Sequence, residues 1–282
     1  MYEALRIQNL GQHLNHESPL TYKHLPNPCG RGFRMICIAQ SGGGKTNVVK
    51  NLITRDEYGY KQHFGDDIFV ISETLELDGS WDDVELPEHH KTKEWDEERL
   101  DEIIKYSAES TNGTLIVFDD LVCSDAINKY RSTLLDRIFM LGRHSKVNAI
   151  FTTQKYNALS PKMRANATHT LCWGVPTVSE RKMFLDDNAD VDGVEERFEY
   201  ATKEPFSFLY INRLDKTCFR NFEEPLGDGT DDHSSDNISA DPIDEYSHGN
   251  TAAGGAAPIE PLQDPRQRQQ DRPETGDYQV HQ

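Results

Sequence analysis

The chain has no apolar run that approaches the roughly 20 residues needed to span a bilayer. Its N-terminal segment, Met1–Asn15, is polar and is not typical of a signal peptide. Cysteine is scarce, and no pair has the CxxC spacing of a zinc or redox site. The five residues are Cys29, Cys37, Cys123, Cys172 and Cys218. We therefore expect a soluble intracellular protein with no membrane span, whose cysteines are reduced structural thiols.

Apolar periodicity is also missing from residues 223–282, which are rich in Pro, Gly, Asp, Ser and Gln. This segment has 14 acidic and 3 basic residues, so it carries −11 of the net charge of −18. Such a composition cannot bury enough apolar surface to offset the entropy that ordering costs. The sequence therefore predicts a disordered acidic C-terminal tail at 223–282, and one α/β domain at 1–222.

Glycine is concentrated in a loop that follows the apolar run Phe33–Ile38 and precedes a helical pattern. The loop reads Ala39-Gln40-Ser41-Gly42-Gly43-Gly44-Lys45-Thr46. Glycines let backbone N–H groups surround a phosphate, while Lys45 reaches the β- and γ-phosphates and Thr46 can ligate Mg²⁺. Only Ala39 departs from the usual pattern, because glycine is more common at that position. We expect all eight residues to bind a nucleoside triphosphate such as ATP.

Short β-branched runs alternate with helical stretches along residues 33–212. The predicted strands are Met35–Ala39, Asp67–Ser72, Thr114–Asp120, Asn148–Gln154, Thr170–Gly174 and Phe206–Asn212. The predicted helices are Lys45–Thr54, Glu94–Ser107, Ala126–Leu141 and Val178–Asp187. This alternation indicates a mostly parallel sheet with helices on both faces, in which ligands bind at the carboxyl ends of the strands. The acidic stretch Glu73–Arg99 is expected to be a surface excursion with little regular structure. We also expect the two adjacent histidines in this stretch to be solvated.

Two carboxylates and an amide stand where predicted strands end. In a phosphate-loop nucleotidase the first carboxylate, Asp119, would hold Mg²⁺ and the second, Asp120, would orient and deprotonate the attacking water. Asp is also common in turns after strands, but the upstream loop favours the catalytic interpretation. Gln154 can contact a γ-phosphate and the water together, so it is our candidate sensor.

Arg143 lies just ahead of the strand that ends at Gln154. An arginine there can project from a subunit edge and stabilise transition-state charge in a neighbour's site. It can equally interact with the last carbonyls of the preceding helix, and its position alone does not separate these roles.

The order of these motifs resembles the poxvirus-type viral genome-packaging ATPases, within the FtsK/HerA superfamily of DNA-pumping motors. The resemblance spans roughly residues 33–212. The phosphate loop and the strand that ends at Asp119-Asp120 are shared by many nucleotidases, whereas the stretch from Gly142 to Asn166 is specific to these packaging ATPases. The resemblance implies a P-loop NTPase fold of the additional-strand, RecA-like type, in which the Gln154 strand lies between the phosphate-loop strand and the Asp119 strand.

The same resemblance implies an ATPase that uses ATP and Mg²⁺ to translocate double-stranded DNA. The working form would be a homo-oligomeric ring, often a hexamer, with Arg143 acting in trans and viral capsid vertex proteins as partners. It would act in the infected host cell, with an association with the virion. The acidic tail has no counterpart in this pattern.

Two other functions compete with the motor. A small-molecule kinase of the phosphate-loop type needs an arginine-rich lid and an acceptor pocket, and the sequence shows neither. A nucleotide-gated capsid assembly factor would bind ATP without turnover, but Lys45 and Asp120 are both retained. The segment Lys155–Asn166, with Lys155, Lys162 and Arg164, can contact DNA phosphates or simply be a solvated basic loop.

Overall fold

A nine-stranded sheet organises the part of the chain that the structure, a computed structural model, describes: residues 18–29, 32–93, 97–120 and 134–227. The spatial order is β3-β2-β4-β5-β1-β6-β7-β8-β9. The strands are β1 (Arg34–Ile38), β2 (Ile68–Ser72), β3 (Lys91–Thr92), β4 (Thr114–Asp119), β5 (Val147–Thr153), β6 (His169–Cys172), β7 (Leu209–Asn212), β8 (Thr217–Arg220) and β9 (Glu224–Leu226).

Six of these strands, from β3 to β6 in the spatial order, run parallel, and β7, β8 and β9 continue the sheet as an antiparallel meander. Strand β5 pairs with β1 on one side and with β4 on the other. Ile38 is paired with Thr153, so β1 and β5 end at the same edge. The mixed α/β fold and the inserted position of the Gln154 strand are therefore confirmed.

Helices cover both faces of the sheet. They are α1 (Lys45–Thr54), α2 (Tyr60–Phe64), α3 (Leu75–Asp78), α4 (Glu97–Glu109), α5 (Leu134–Leu141), α6 (Pro161–Asn166), α7 (Val178–Asp187) and α8 (Val194–Ala201). Thr177 caps α7 by accepting a hydrogen bond from the N–H of Glu180, and Ser160 caps α6, which has Pro161 in its first turn. Among the residues described, no helix combines the length and apolar character that a bilayer crossing requires.

Alternate side chains of the buried strands point to opposite faces, which produces two apolar layers. In β1, Ile36 and Ile38 pack in the layer that includes α4, α5, α7 and α8. Met35 and Cys37 pack in the other layer, with α1 and α2. The sheet is thus buried on both sides, as parallel sheets are, and the ends of its strands are left as the place for a site.

The predicted helices at 45–54 and 178–187 coincide with α1 and α7. The predicted helix at 94–107 coincides with α4 over 97–107, and residues 94–96 lie outside the described part. The predicted helix at 126–141 coincides with α5 over 134–141. Its first half and Cys123 lie outside the described part. Helices α2, α3, α6 and α8 were not predicted, because each is short, with 4 to 8 residues.

The interpretation of Glu73–Arg99 as a stretch with little regular structure is wrong. It contains α3, a 3₁₀ turn at Glu88–His90, strand β3 and the first residues of α4. Its order follows from apolar side chains, of which Trp81 and Val84 are buried in the core. These contacts hold the excursion against the sheet.

The predicted boundary between domain and tail, at residues 222–223, falls between β8 and β9. Since Glu224–Leu226 pairs with β8, the sheet extends past that boundary. The remainder of the predicted tail, 228–282, lies outside the described residues.

Candidate nucleotide and catalytic site

The glycine-rich loop joins the end of β1 to the start of α1, as the sequence predicts. Gly42 and Gly44 have φ angles of 73° and 95°, in the left-handed region that side chains disfavour. Gly43 is required for a different reason. A Cβ atom on it would lie 2.9 Å from the Cβ of Ala39 and 3.0 Å from the carbonyl oxygen of Gln40. Each glycine of this loop therefore has a physical role.

Ala39 replaces the usual first glycine without strain, because its backbone is outside the left-handed region. Its N–H donates to the carbonyl of Thr153, which fixes the loop to the end of β5 at an N–O distance of 3.1 Å. Its methyl group is fully buried and occupies the space beside Gly43. The departure is compatible with the loop fold, provided that residue 43 stays glycine.

Three of the four predicted catalytic side chains meet beside this loop. The ammonium nitrogen of Lys45 lies 3.7 Å from Oδ2 of Asp120. The same oxygen accepts a hydrogen bond from Nε2 of Gln154 at 2.7 Å. Lys45 is only 6% exposed, so this ion pair is largely desolvated.

Asp120 is held in an uncommon backbone conformation, with a φ of 53°. Its N–H donates to the hydroxyl of Thr152 at 2.9 Å, which maintains that geometry. Its Oδ1 atom is buried and has no hydrogen-bond partner among the described residues. A strained residue with a free buried acceptor beside a lysine is typical of a functional site.

Asp119, which is 2% exposed, has three neighbouring donors. The hydroxyl of Thr152 donates to Oδ1 at 2.7 Å, and the indole Nε1–H of Trp81 donates to Oδ2 at 2.9 Å. The hydroxyl of Thr46 lies 3.1 and 3.3 Å from the two oxygens. The carboxylate is thus fixed in position and in orientation.

The residues at this point fit a magnesium ion. Thr46 and Asp119 supply one hydroxyl and one carboxylate side by side, the hard oxygen ligands that Mg²⁺ takes together with substrate phosphates. Within the described ranges, no group of three or more His, Cys, Asp or Glu side chains is arranged to hold an ion by itself. The pair therefore suits a metal that arrives with a triphosphate.

Trp81 and Thr152 are site residues that the sequence did not reveal. Trp81 lies 38 residues before Asp119 in the chain, inside the acidic excursion, and is completely buried. One available signal was a tryptophan in a segment that is rich in acidic residues. Thr152 stands inside a strand, where a threonine has no distinguishing pattern.

Arg143 is not brought to the site of its own chain. It lies in a 3₁₀ turn, Gly142–His144, that precedes β5, whereas the site lies where β5 ends. A strand rises about 3.3 Å per residue, so β5 separates the two positions by about 20 Å. The backbone therefore places this arginine at the opposite edge of the sheet.

Two of the three basic residues in the segment Lys155–Asn166, Lys162 and Arg164, lie in the short helix α6. Arg164 donates from Nε to Asp187 at 2.7 Å, and its guanidinium lies 5.4 Å from the ring centre of Tyr156. Lys162 is paired with Asp136 at 3.5 Å, and Lys155 is exposed. Arg164 therefore has a structural role, which leaves Lys155 and Lys162 as the accessible positive charges of this segment.

Similarity to known proteins is found among solved structures and in one family model. The genome packaging NTPase B204 from Sulfolobus turreted icosahedral virus 2, in complex with AMPPCP, is similar at 13% identity and a TM-score of 0.47, over 67% of this chain and 97% of its own. EssC (ATPases 2 and 3) from Geobacillus thermodenitrificans is similar at 14% identity and a TM-score of 0.42, over 72% and 41%. No curated protein matches significantly.

The model of the family described as Poxvirus A32 protein matches residues 17–185, more than half of the chain. The chain therefore belongs to the poxvirus A32 family of viral packaging ATPases.

Proposed function

We propose that the chain is an ATP hydrolase that translocates double-stranded DNA and packages a viral genome into a preformed capsid. One observation carries the hydrolytic part: Lys45, Asp120 and Gln154 converge beside the phosphate loop, within 3.7 Å of one another along a chain of contacts. Family membership and the motif stretch from Gly142 to Asn166 support the packaging part.

Each residue has a role that its contacts support. Lys45 neutralises charge on the β- and γ-phosphates, and its present partner, Asp120, shows how close it lies to the catalytic carboxylate. The free Oδ1 of Asp120 accepts the proton of the attacking water. Gln154, already bonded to Oδ2, orients that water and senses whether a γ-phosphate is present. Thr46 and Asp119 would hold Mg²⁺, which supplies neutralising charge to the phosphate oxygens.

Trp81 acts as a positioning residue in this scheme, since its indole fixes Oδ2 of Asp119. We predict that Trp81→Phe, which retains a buried ring but loses the donor, raises the Mg²⁺ concentration for half-maximal hydrolysis by about 10-fold or more, the usual cost of losing a partner of a metal ligand. A Mg²⁺ titration of ATPase activity measures it, and thermal unfolding checks that the fold is retained. An unchanged Mg²⁺ requirement in a folded variant would show that Trp81 only fills space.

We further propose that the protein works as a homo-oligomeric ring, with six subunits as the expected number, and that Arg143 completes the site of the neighbouring subunit. Its position about 20 Å from the site of its own chain supports a role in trans. Double-stranded DNA and viral capsid vertex proteins are the proposed partners, in the infected host cell and in association with the virion.

Steady-state ATP hydrolysis with and without duplex DNA tests this function, with Lys45→Ala as the inactive control. We expect hydrolysis that duplex DNA stimulates. If duplex DNA leaves the rate of hydrolysis unchanged, the protein is an ATPase but the isolated chain is not a DNA translocase. The assay would then be repeated with capsid vertex proteins. ATP binding without hydrolysis under either condition would favour the nucleotide-gated assembly factor.

A further inference from the structure

A cleft adjoins the phosphate loop on the side away from the catalytic carboxylates. Its volume is about 430 Å³, which lies within the range of about 300–1,000 Å³ for small-molecule sites. Gln40 and Gly43 of the loop form one wall, and the segment after β6, with Trp173, forms another. The residues just before β7, including Phe206 and Ser207, complete it. The cleft is therefore continuous with the phosphate loop.

The positions of the catalytic residues give a bound nucleotide its direction. This step rests on the proposed function. Asp120 and Gln154 follow β4 and β5, so the γ-phosphate end must lie on that side of the loop. β6 lies on the other side of β1 in the sheet. The nucleoside end of an extended triphosphate therefore points towards the flank where this cleft lies.

Phe206 has three properties that a packing role does not explain. Its side chain is 72% exposed, although it is a large aromatic residue. Its φ is 63°, a conformation that is sterically disfavoured for a bulky side chain. Its ring also lies over the phosphate loop, with a ring carbon 3.8 Å from where a Cβ on Gly44 would stand.

The surrounding structure maintains this conformation. The indole Nε1–H of Trp173 donates to the carbonyl oxygen of Phe206 at 3.0 Å. Trp173 in turn packs against Phe208, with ring centres 4.4 Å apart. Strained residues that the structure holds in place concentrate at ligand clamps. This is also why the predicted strand Phe206–Asn212 begins only at Leu209.

We propose that Phe206 is the stacking platform for the nucleobase of the bound triphosphate, and that Trp173 holds it in position. Aromatic rings stack on any base, because every base has a π face. This platform would therefore bind any nucleobase without selecting among them. The phosphate loop binds the triphosphate, and its contribution to affinity does not depend on the base.

Phe206→Gly tests this proposal with little risk to the fold, because glycine adopts a positive φ without strain and the lost ring is mostly exposed. Calorimetric titrations would use two probes with Mg²⁺: the non-hydrolysable β,γ-methylene analogue of ATP, and inorganic tripolyphosphate, which has no base. We expect the variant to bind the analogue about 5- to 100-fold more weakly, the usual effect of losing one stacking aromatic, and to bind tripolyphosphate as wild type does.

Two controls complete the design. Phe206→Tyr retains a stacking ring and should bind the analogue as wild type does. Leu214→Ala removes another exposed apolar side chain, in the turn between β7 and β8, and should change neither ligand's affinity. Unchanged analogue binding in Phe206→Gly would overturn the proposal, and so would an equal loss for both ligands. Wild-type protein that bound neither ligand would contradict the nucleotide site itself, and this inference with it.

Discussion

Asp120→Asn is expected to bind ATP with near-normal affinity and to hydrolyse it about 10²- to 10⁴-fold more slowly, the usual contribution of a general base. The amide cannot take a proton from water, whereas Lys45 and the loop still hold the triphosphate. The amide oxygen can still accept from Gln154, so the local contacts change little. Single-turnover hydrolysis and a separate binding titration measure the two quantities independently.

The control for the loss of one negative charge is Asp215→Asn, which alters an exposed carboxylate in the turn between β7 and β8. It should hydrolyse ATP at the wild-type rate. Near-normal turnover by Asp120→Asn would show that another group is the base. Loss of ATP binding instead would mean that Asp120 acts mainly in organising Lys45.

Arg143→Ala is expected to lower hydrolysis by about 10³-fold or more, as the removal of arginine fingers does. Because the arginine is proposed to serve the neighbouring subunit, mixing this variant with Lys45→Ala should restore part of the activity. In the mixed ring, some sites combine an intact Lys45 from one subunit with an intact Arg143 from the next. The measurement is ATPase activity against mixing ratio.

A matched negative control uses Lys45→Ala mixed with Asp120→Asn. Both residues belong to the same half of the site, because they contact each other within one chain. No pairing of these subunits can form an intact site, so the mixture should stay inactive. Absence of rescue in the Arg143→Ala mixture would argue against a trans role and leave the arginine with its helix-terminal alternative.

The residues that the sequence located are those whose role depends on local pattern. The phosphate loop needs a strand, glycines and a helix in immediate succession, and Asp119, Asp120 and Gln154 each mark the end of a buried strand. Parallel topology then brings those strand ends to one edge, which explains why Gln154 and Asp120 meet although 34 residues separate them.

The residues that the sequence missed depend on contacts between distant segments. Trp81 reaches Asp119 only because the excursion after β2 folds back on the sheet, and nothing in its neighbours predicts that contact. Phe206 seemed to begin a strand, since an aromatic residue favours one, but its backbone conformation was not readable from the chain. Strands β8 and β9 were not predicted, because they are short and Cys218 is the one fully buried residue in them, so they show no apolar alternation.

Gln154 follows the end of β5 and Arg143 precedes its start. This placement has a consequence for the order of hydrolysis in the proposed ring. β5 is hydrogen-bonded on both sides, to β1 and to β4, so it is a rigid element. In a ring where Arg143 serves the next subunit, as proposed, Gln154 of one site would follow the end of this strand and the arginine of the next site would precede its start. One rigid strand would then connect two consecutive active sites, and the proposed ring would need no separate element to order its hydrolysis events.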